Sequence, residues 1–222
     1  MNFFVYGLAG VAAIVCSFYF RSRSRALALI LPLWFALAVV IDQIGVFPVA
    51  GAWVDGDLIR FLIFGALMSL PVVSYLVLPR LAPEAHRALA AAPIWGLAGL
   101  QTYRIGGLAF LVALQDGVMP AALAISVLIL DVFIAISALV VAYLLRRGRG
   151  HRTAIAWNLV GLTDFTVAVL LVAGSIFGIL ALSPAPSAIG QSPFVLISLF
   201  QLPLGVIIHV EMLRRLMRRR GG

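Results

Sequence analysis

The stretch AALAISVLILDVFIAISALVVAYLL, residues 121–145, is followed at once by RRGRGHR, residues 146–152. Its 25 residues hold a single charged side chain, Asp131. As an α-helix rising about 1.5 Å per residue it is roughly 37 Å long, more than the ~30 Å of a bilayer's hydrocarbon core. A long apolar run closed by arginines reads as a helix that crosses a membrane and stops at its charged surface.

Working outward, six further runs have the same character. The sequence predicts spans over 3–20, 26–47, 61–78, 90–114, 121–145, 153–181 and 194–213. The expectation is an all-α polytopic membrane protein, with residues 1–222 forming one domain of seven transmembrane helices. Composition agrees: the chain is 64% hydrophobic and 11% charged, with a mean hydropathy of +1.14. A soluble domain is about 45–50% apolar and about 25% charged.

Gly, Pro and charged residues punctuate the breaks. Arg21 to Arg25, Pro48 to Arg60 (with Gly51, Asp55, Gly56 and Asp57), Pro79 to Arg87, and Gln115 to Pro120 separate the first five spans. Arg146 to Arg152 and the uncharged Ser183 to Pro193 separate the rest. No internal repeat stands out, and no loop is long enough to fold alone. The first span lacks a basic start and a small-x-small cleavage site, so it reads as a retained anchor.

All 16 basic residues are arginines, against 8 acids, for a net charge of +8. The breaks after spans one, three and five and the tail hold three, two, four and five of them, against Arg60 alone on the opposite side. The positive-inside rule then predicts the amino terminus outside and the carboxyl terminus in the cytoplasm, in a bacterial inner membrane. The basic excess lies beside apolar spans, so the expected partners are the bilayer and its anionic headgroups on the cytoplasmic side, not nucleic acid. A membrane complex or a homo-oligomer is a further expected setting.

Without lysine there is no amine for a retinal or pyridoxal Schiff base. Cys16 is the one cysteine, which excludes an intrachain disulfide and a Cys-rich metal site. Of His86, His151 and His209, only His209 falls at membrane depth, so a bis-histidine haem is not expected, nor is a metal site.

Ionisable residues inside a bilayer are costly and each is a functional hypothesis. They are Asp42, Arg104, Asp131, Asp164 and His209, accompanied by Gln43, Gln101, Tyr103, Asn158 and Gln201. Helix rise puts Asp131 about 22 Å above Arg146, Asp164 about 18 Å above Arg152 and Arg104 about 21 Å past Ala90, one level on three consecutive spans. An Arg104 guanidinium between two carboxylates would satisfy a buried site. Asn158 and His209, about 9 and 7 Å from their cytoplasmic ends, form an expected second layer. Gln201, Gly205 and His209 share one helical face, as do Gln101 and Arg104, and Trp157, Gly161 and Asp164. Pro203 is expected to kink the seventh span and free a carbonyl.

Each residue has a structural alternative. Arg104 with one aspartate can be a register-fixing ion pair, His209 a satisfied interfacial histidine, and Asn158 and Gln201 interhelical hydrogen bonders. Asp42 is expected to face an outer vestibule and Glu211 to be solvated beside Arg214 and Arg215. Trp34, Trp53, Trp95 and Trp157 read as belt or packing residues.

Enzyme motifs are absent or incomplete: there is no Gly-x-Ser-x-Gly elbow, no paired Asp-rich magnesium motif and no zinc helix. Asp131 and Asp164 at matched depth resemble the pair of an intramembrane aspartyl protease, whose chemistry is a shared-proton dyad. Gly161-Leu-Thr-Asp164 lacks the second glycine of that family's Gly-x-Gly-Asp, and Leu202-Pro-Leu204 is a poor match to its Pro-Ala-Leu.

Several stretches together resemble a family of small bacterial multi-pass membrane proteins with no assigned function. They are Gln101-Thr-Tyr-Arg104 with Gly106-Gly107, Pro120 with Asp131, and Trp157-Asn-Leu-Val-Gly161-Leu-Thr-Asp164. Pro193, Gln201-Leu-Pro-Leu204 and His209 complete the set. The resemblance covers spans four to seven, implies a recurring fold and implies no activity. The residues themselves lead to a channel or transporter for a small polar solute or ion, with Arg104, Asp131, Asp164, Gln101, Asn158, His209 and Gln201 as its site. In that reading Arg104 binds an anion or organises the site, the aspartates carry protons or cations, and His209 with Asn158 is a relay. The alternatives are a non-catalytic subunit or sensor of a membrane complex, and an intramembrane aspartyl-type enzyme.

Overall fold

The computed structural model describes residues 2–45 and 58–218, and among these residues every regular element is helical. The break between spans two and three, with Trp53, Asp55 and Asp57, lies outside the described residues, as does the side chain of Arg60. The helices are α1 (Asn2–Arg21), α2 (Arg25–Ile44), α3 (Leu58–Leu81), α4 (Pro83–Ala91), α5 (Ile94–Leu100), α6 (Ala109–Gln115), α7 (Ala121–Arg146) and α8 (His151–Ile176). They are followed by α9 (Phe194–Leu196) and α10 (Leu202–Arg218). Seven of the resulting segments are long and apolar enough to cross a membrane, which makes this a multi-pass membrane protein in a bilayer setting.

Local chemistry sets the ends. Ser24 caps α2, accepting from the Leu27 amide at 3.3 Å, and Gly45 closes it in the left-handed conformation at φ 63°. α2 therefore stops three residues short of the expected 47. The turn between α7 and α8 uses Gly148 and Gly150 at φ 70° and 71°, values that a residue with a Cβ rarely adopts. α8 ends at Ile176 rather than 181.

Span four departs from expectation in its start and in its winding, and span seven is interrupted near the expected Pro203 kink. Span four begins at Ile94, not at 90: residues 83–91 form the separate α4, and Pro93 starts the membrane helix. Span four is also not continuous, because residues Gln101–Leu108 wind as a 3₁₀-helix between α5 and α6. Span seven is interrupted by a π-helical turn, Ile197–Gln201, between α9 and α10. Pro203 explains part of this, since its missing N–H leaves the Leu199 carbonyl without an intrahelical partner. That carbonyl accepts from Trp34 Nε1 of α2 at 2.9 Å. Trp34 is thus a specific hydrogen-bond donor rather than a belt residue.

Span seven is the centre of the bundle: 72% of its apolar window is buried, against 11% for span three. α7 packs on α5, the 3₁₀ segment, α6 and α8, and α10 packs on α8 and α3. α1 and α2 pair with each other and reach α9 and the π turn. The outward faces carry large apolar side chains such as Leu70, Leu76, Ile129, Phe133, Ile136 and Leu139. Polar residues lie inside, the expected arrangement when the solvent is lipid.

Candidate functional site at the two interrupted spans

The 3₁₀ segment sets the site's register. At three residues per turn, side chains three apart eclipse. Gln101, Arg104 and Gly107 therefore form one row, and Tyr103 and Gly106 belong to the next. Gly107 backs directly onto α7: a Cβ there would lie 2.4 Å from Asp131 Cβ. This contact brings the Arg104 backbone close enough for its side chain to enter between α7, α8 and α10.

Arg104, with 1% of its side chain exposed, uses its whole fork. Nε donates to Asp131 Oδ1 at 2.6 Å, Nη2 donates to Asp164 Oδ2, and Nη1 lies 3.1 Å from His209 Nε2. The Phe165 ring covers the guanidinium face at 4.2 Å. A guanidinium can only donate, so His209 Nε2 accepts and its proton sits on Nδ1. Nδ1 then donates to Asn158 Oδ1 at 2.9 Å, while Asn158 Nδ2 donates to the Ala154 carbonyl at 2.6 Å. One chain of hydrogen bonds thus runs from two carboxylates through Arg104, His209 and Asn158 to the α8 backbone.

The matched depth of Arg104, Asp131 and Asp164 is therefore observed as direct contact. Counted from Ile94, with the steeper 3₁₀ rise from Gln101, Arg104 lies roughly 17 Å up rather than 21 Å, closer to the ~18 Å of Asp164. The expected second layer is corrected: His209 touches Arg104, because the long arginine side chain spans the axial difference. Glycine permits this approach too, since a Cβ on Gly161 would lie 2.3 Å from His209 Nε2. Trp157 packs beside His209 with ring centroids 5.1 Å apart, and its Nε1 donates to Ser137 Oγ at 2.9 Å.

Gln101 and Gln201 are buried outside the ionic cluster: the Gln101 side chain and the Gln201 main chain bridge spans four and seven, and Gln201 Nε2 has no hydrogen-bond partner. Gln101 Nε2 donates to the Gly205 carbonyl at 3.2 Å, and the Tyr103 hydroxyl donates to the Gln201 carbonyl at 2.7 Å. The Gln201 carbonyl belongs to the π turn and the Gly205 carbonyl to the first turn of α10, so the 3₁₀ segment of span four is tied to both.

Asp42 is buried rather than facing an open vestibule. Its Oδ2 accepts from Ser192 Oγ at 3.1 Å, and Gln43 Nε2 donates to the Tyr6 hydroxyl at 2.7 Å, tying α1, α2 and the segment before α9. Glu211 is not solvated: it is fully buried, accepting from the Tyr75 hydroxyl at 2.7 Å and from Arg214 Nε and Nη2 at 3.0 and 2.9 Å. The reason is that α3 packs on α10 and delivers Tyr75. Trp95 is exposed, with the Arg146 guanidinium 5.4 Å from its ring.

Beside the cluster a cavity of about 390 Å³ lies between α3, α7, α8 and the π turn, with Asp131 and Asp164 in its wall. Asp164 Oδ1 is buried and has no hydrogen-bond partner. Among the described residues, no three His, Cys, Asp or Glu side chains gather as metal ligands. Phe165 and Gly107 were not singled out by the sequence as site residues. Phe165 adjoins Asp164 in sequence, but which residue covers Arg104 depends on the rotation of α8.

No curated protein and no solved structure matches the chain. One family model does, over residues 61–217, described as a domain of unknown function, DUF8737. The matched region contains the entire Arg104 cluster and leaves α1 and α2 outside. The match covers well over half of the 222 residues, and the chain belongs to the DUF8737 family.

Proposed function

We propose that this membrane protein is a proton-coupled carrier whose working centre is the Arg104–Asp131–Asp164–His209 cluster. The observation that supports it is a charge count joined to a geometry. Two carboxyl groups share one guanidinium inside the bundle, both line a cavity, and one oxygen of Asp164 is buried without a donor. Arg104 neutralises one of them, so the site has a place for one exchangeable proton or one cation. Every Arg104 nitrogen has a partner, so its role is to organise the carboxylates rather than to capture an anion. His209, fixed as an acceptor toward Arg104, orients that fork. Interrupted helices are what carrier sites are commonly built from, because freed backbone groups can change partners without unfolding the span.

The membrane-complex subunit is the second reading, favoured by the enclosure of Arg104. The aspartyl-enzyme reading fits less well: Gly161-Leu-Thr-Asp164 lacks the second glycine of that family's motif, and a shared-proton dyad needs no cation, whereas Arg104 bonds both carboxyls. The arginine asymmetry supports a cytoplasmic carboxyl terminus, with arginine-rich ends beside anionic headgroups.

The infrared carboxylic-acid C=O band of the protein in nanodiscs tests the carrier reading. A band at neutral pH that disappears in Asp131→Asn or in Asp164→Asn is expected. If neither variant removes any acid band, the cluster holds no proton and the coupling fails.

A further inference from the structure

We propose that the cavity between α3, α7 and α8 binds a lipophilic primary ammonium ion from the bilayer, its head on the Asp131–Asp164 carboxyl pair and its chain among the apolar walls. The inference deepens the carrier reading and rests on it, naming the class of solute exchanged for the proton.

The wall is apolar apart from Asp131, Asp164, Ser69 and Ser198, with Phe61, Phe64 and Met68 on one side and Val127, Phe165 and Val172 on the other. A polar solute would find almost no partners there, at a cost of roughly 2–7 kcal/mol per unpaired group. An alkyl chain loses nothing in such a place. The cavity is also of the size that holds small organic molecules, about 300–1,000 Å³. Leu62 and Val169 both line it and are 56% and 37% exposed, so it opens on the lipid-facing surface between α3 and α8.

The carboxyl pair selects the head group. Asp131, its side chain 10% exposed, is the member with surface in the cavity wall, and Asp164 Oδ1 is buried without a hydrogen-bond donor. A hydroxyl would supply a donor but leave one carboxylate charge of the pair uncompensated in a low-dielectric site. An ammonium ion does both. A proton also does both, so proton and ammonium compete for the same pair. As the ammonium arrives, the carboxylic proton leaves to water and the charge of the site is unchanged.

The test uses the protein in nanodiscs, with decylamine and decanol as probes and empty nanodiscs as the partition control. Saturable calorimetric binding of decylamine is expected, together with loss of the cluster's infrared acid band. Decanol should do neither at the same concentration. Gly65→Leu supplies the second arm: Gly65 lines the cavity, and a Cβ there meets nothing within 4 Å. The variant should fold normally, keep the acid band and weaken decylamine at least about tenfold, the equivalent of ~1.4 kcal/mol. Equal binding of decanol overturns the ammonium assignment. An intact band with no saturable binding, or Gly65→Leu binding as the parent does, overturns the cavity site and leaves the proton site standing. Saturable binding with no acid band in the parent overturns the proton coupling instead.

Discussion

Replacing Arg104 with leucine removes the one group on which the cluster converges. Three hydrogen bonds go at once, to Asp131, Asp164 and His209, along with the Phe165 stacking contact. Removing one partner of a single buried ion pair costs about 3–5 kcal/mol, mostly because the other charge stays buried and unpaired. Here two carboxylates lose their counter-ion, and His209 Nε2 loses its donor. Proton uptake by the carboxylates limits the loss, so the expected cost is at the upper part of that range, about 4–5 kcal/mol. Arg104→Lys keeps the charge but cannot fork to three partners, and an intermediate loss is expected. Adding Asp131→Asn and Asp164→Asn to Arg104→Leu should recover much of the stability, because no buried charge remains. Equilibrium unfolding in mixed micelles, titrated with denaturing detergent, measures all three variants. An Arg104→Leu protein within about 0.5 kcal/mol of the parent, the range of an ordinary surface substitution, would refute the buried cluster.

Gly161→Ala drives a Cβ into the His209 ring, and overpacking of this kind costs about 1–3 kcal/mol; the same unfolding assay reads it, with Gly65→Ala as the neutral comparison. Trp34→Phe leaves the Leu199 carbonyl without its donor and should cost about 0.5–1.5 kcal/mol. Tyr75→Phe takes one donor from the buried Glu211, with an expected loss of about 1–3 kcal/mol that exceeds the Trp34 effect because the acceptor is charged. In a Cys16→Ser background, cysteines at positions 116 and 149 should react with impermeant maleimide from opposite sides of the membrane, with 149 cytoplasmic; labelling of both from one side refutes the orientation.

The seven spans and the level of the charged cluster are legible because both depend on local quantities. Apolar length gives the spans, and a fixed rise per residue turns sequence distance from an arginine-rich end into depth. This count puts Arg104, Asp131 and Asp164 at one level, and the four-residue difference in the start of the fourth span lowers Arg104 by only about one helical turn, within reach of its side chain. What the sequence hides is nonlocal. Nothing near Glu211 except Arg214 and Arg215 suggests its state, and those neighbours point to solvation, whereas the Tyr75 that covers it comes from α3. Axial distance alone puts His209 and Asn158 in a second layer, because that count leaves out the reach of an arginine side chain. The interruptions are half-legible. Pro203 marks the seventh span, and Trp34 as the donor to its freed carbonyl comes from tertiary packing alone. Gly106-Gly107 hints at the fourth, but only the closeness of Asp131 to Gly107 explains why the backbone must tighten there.

The most direct test of the central claim is a double-mutant cycle between Arg104→Gln and Asp164→Asn, read by unfolding in micelles. Contacting residues of one ionic network couple by about 0.5–3 kcal/mol, whereas independent sites add within about 0.3–0.5 kcal/mol. The account predicts that the double variant is more stable than the two single losses together imply, by about 1 kcal/mol or more. Additive losses would mean that Arg104 and Asp164 do not share a site, and the account would fail at its centre.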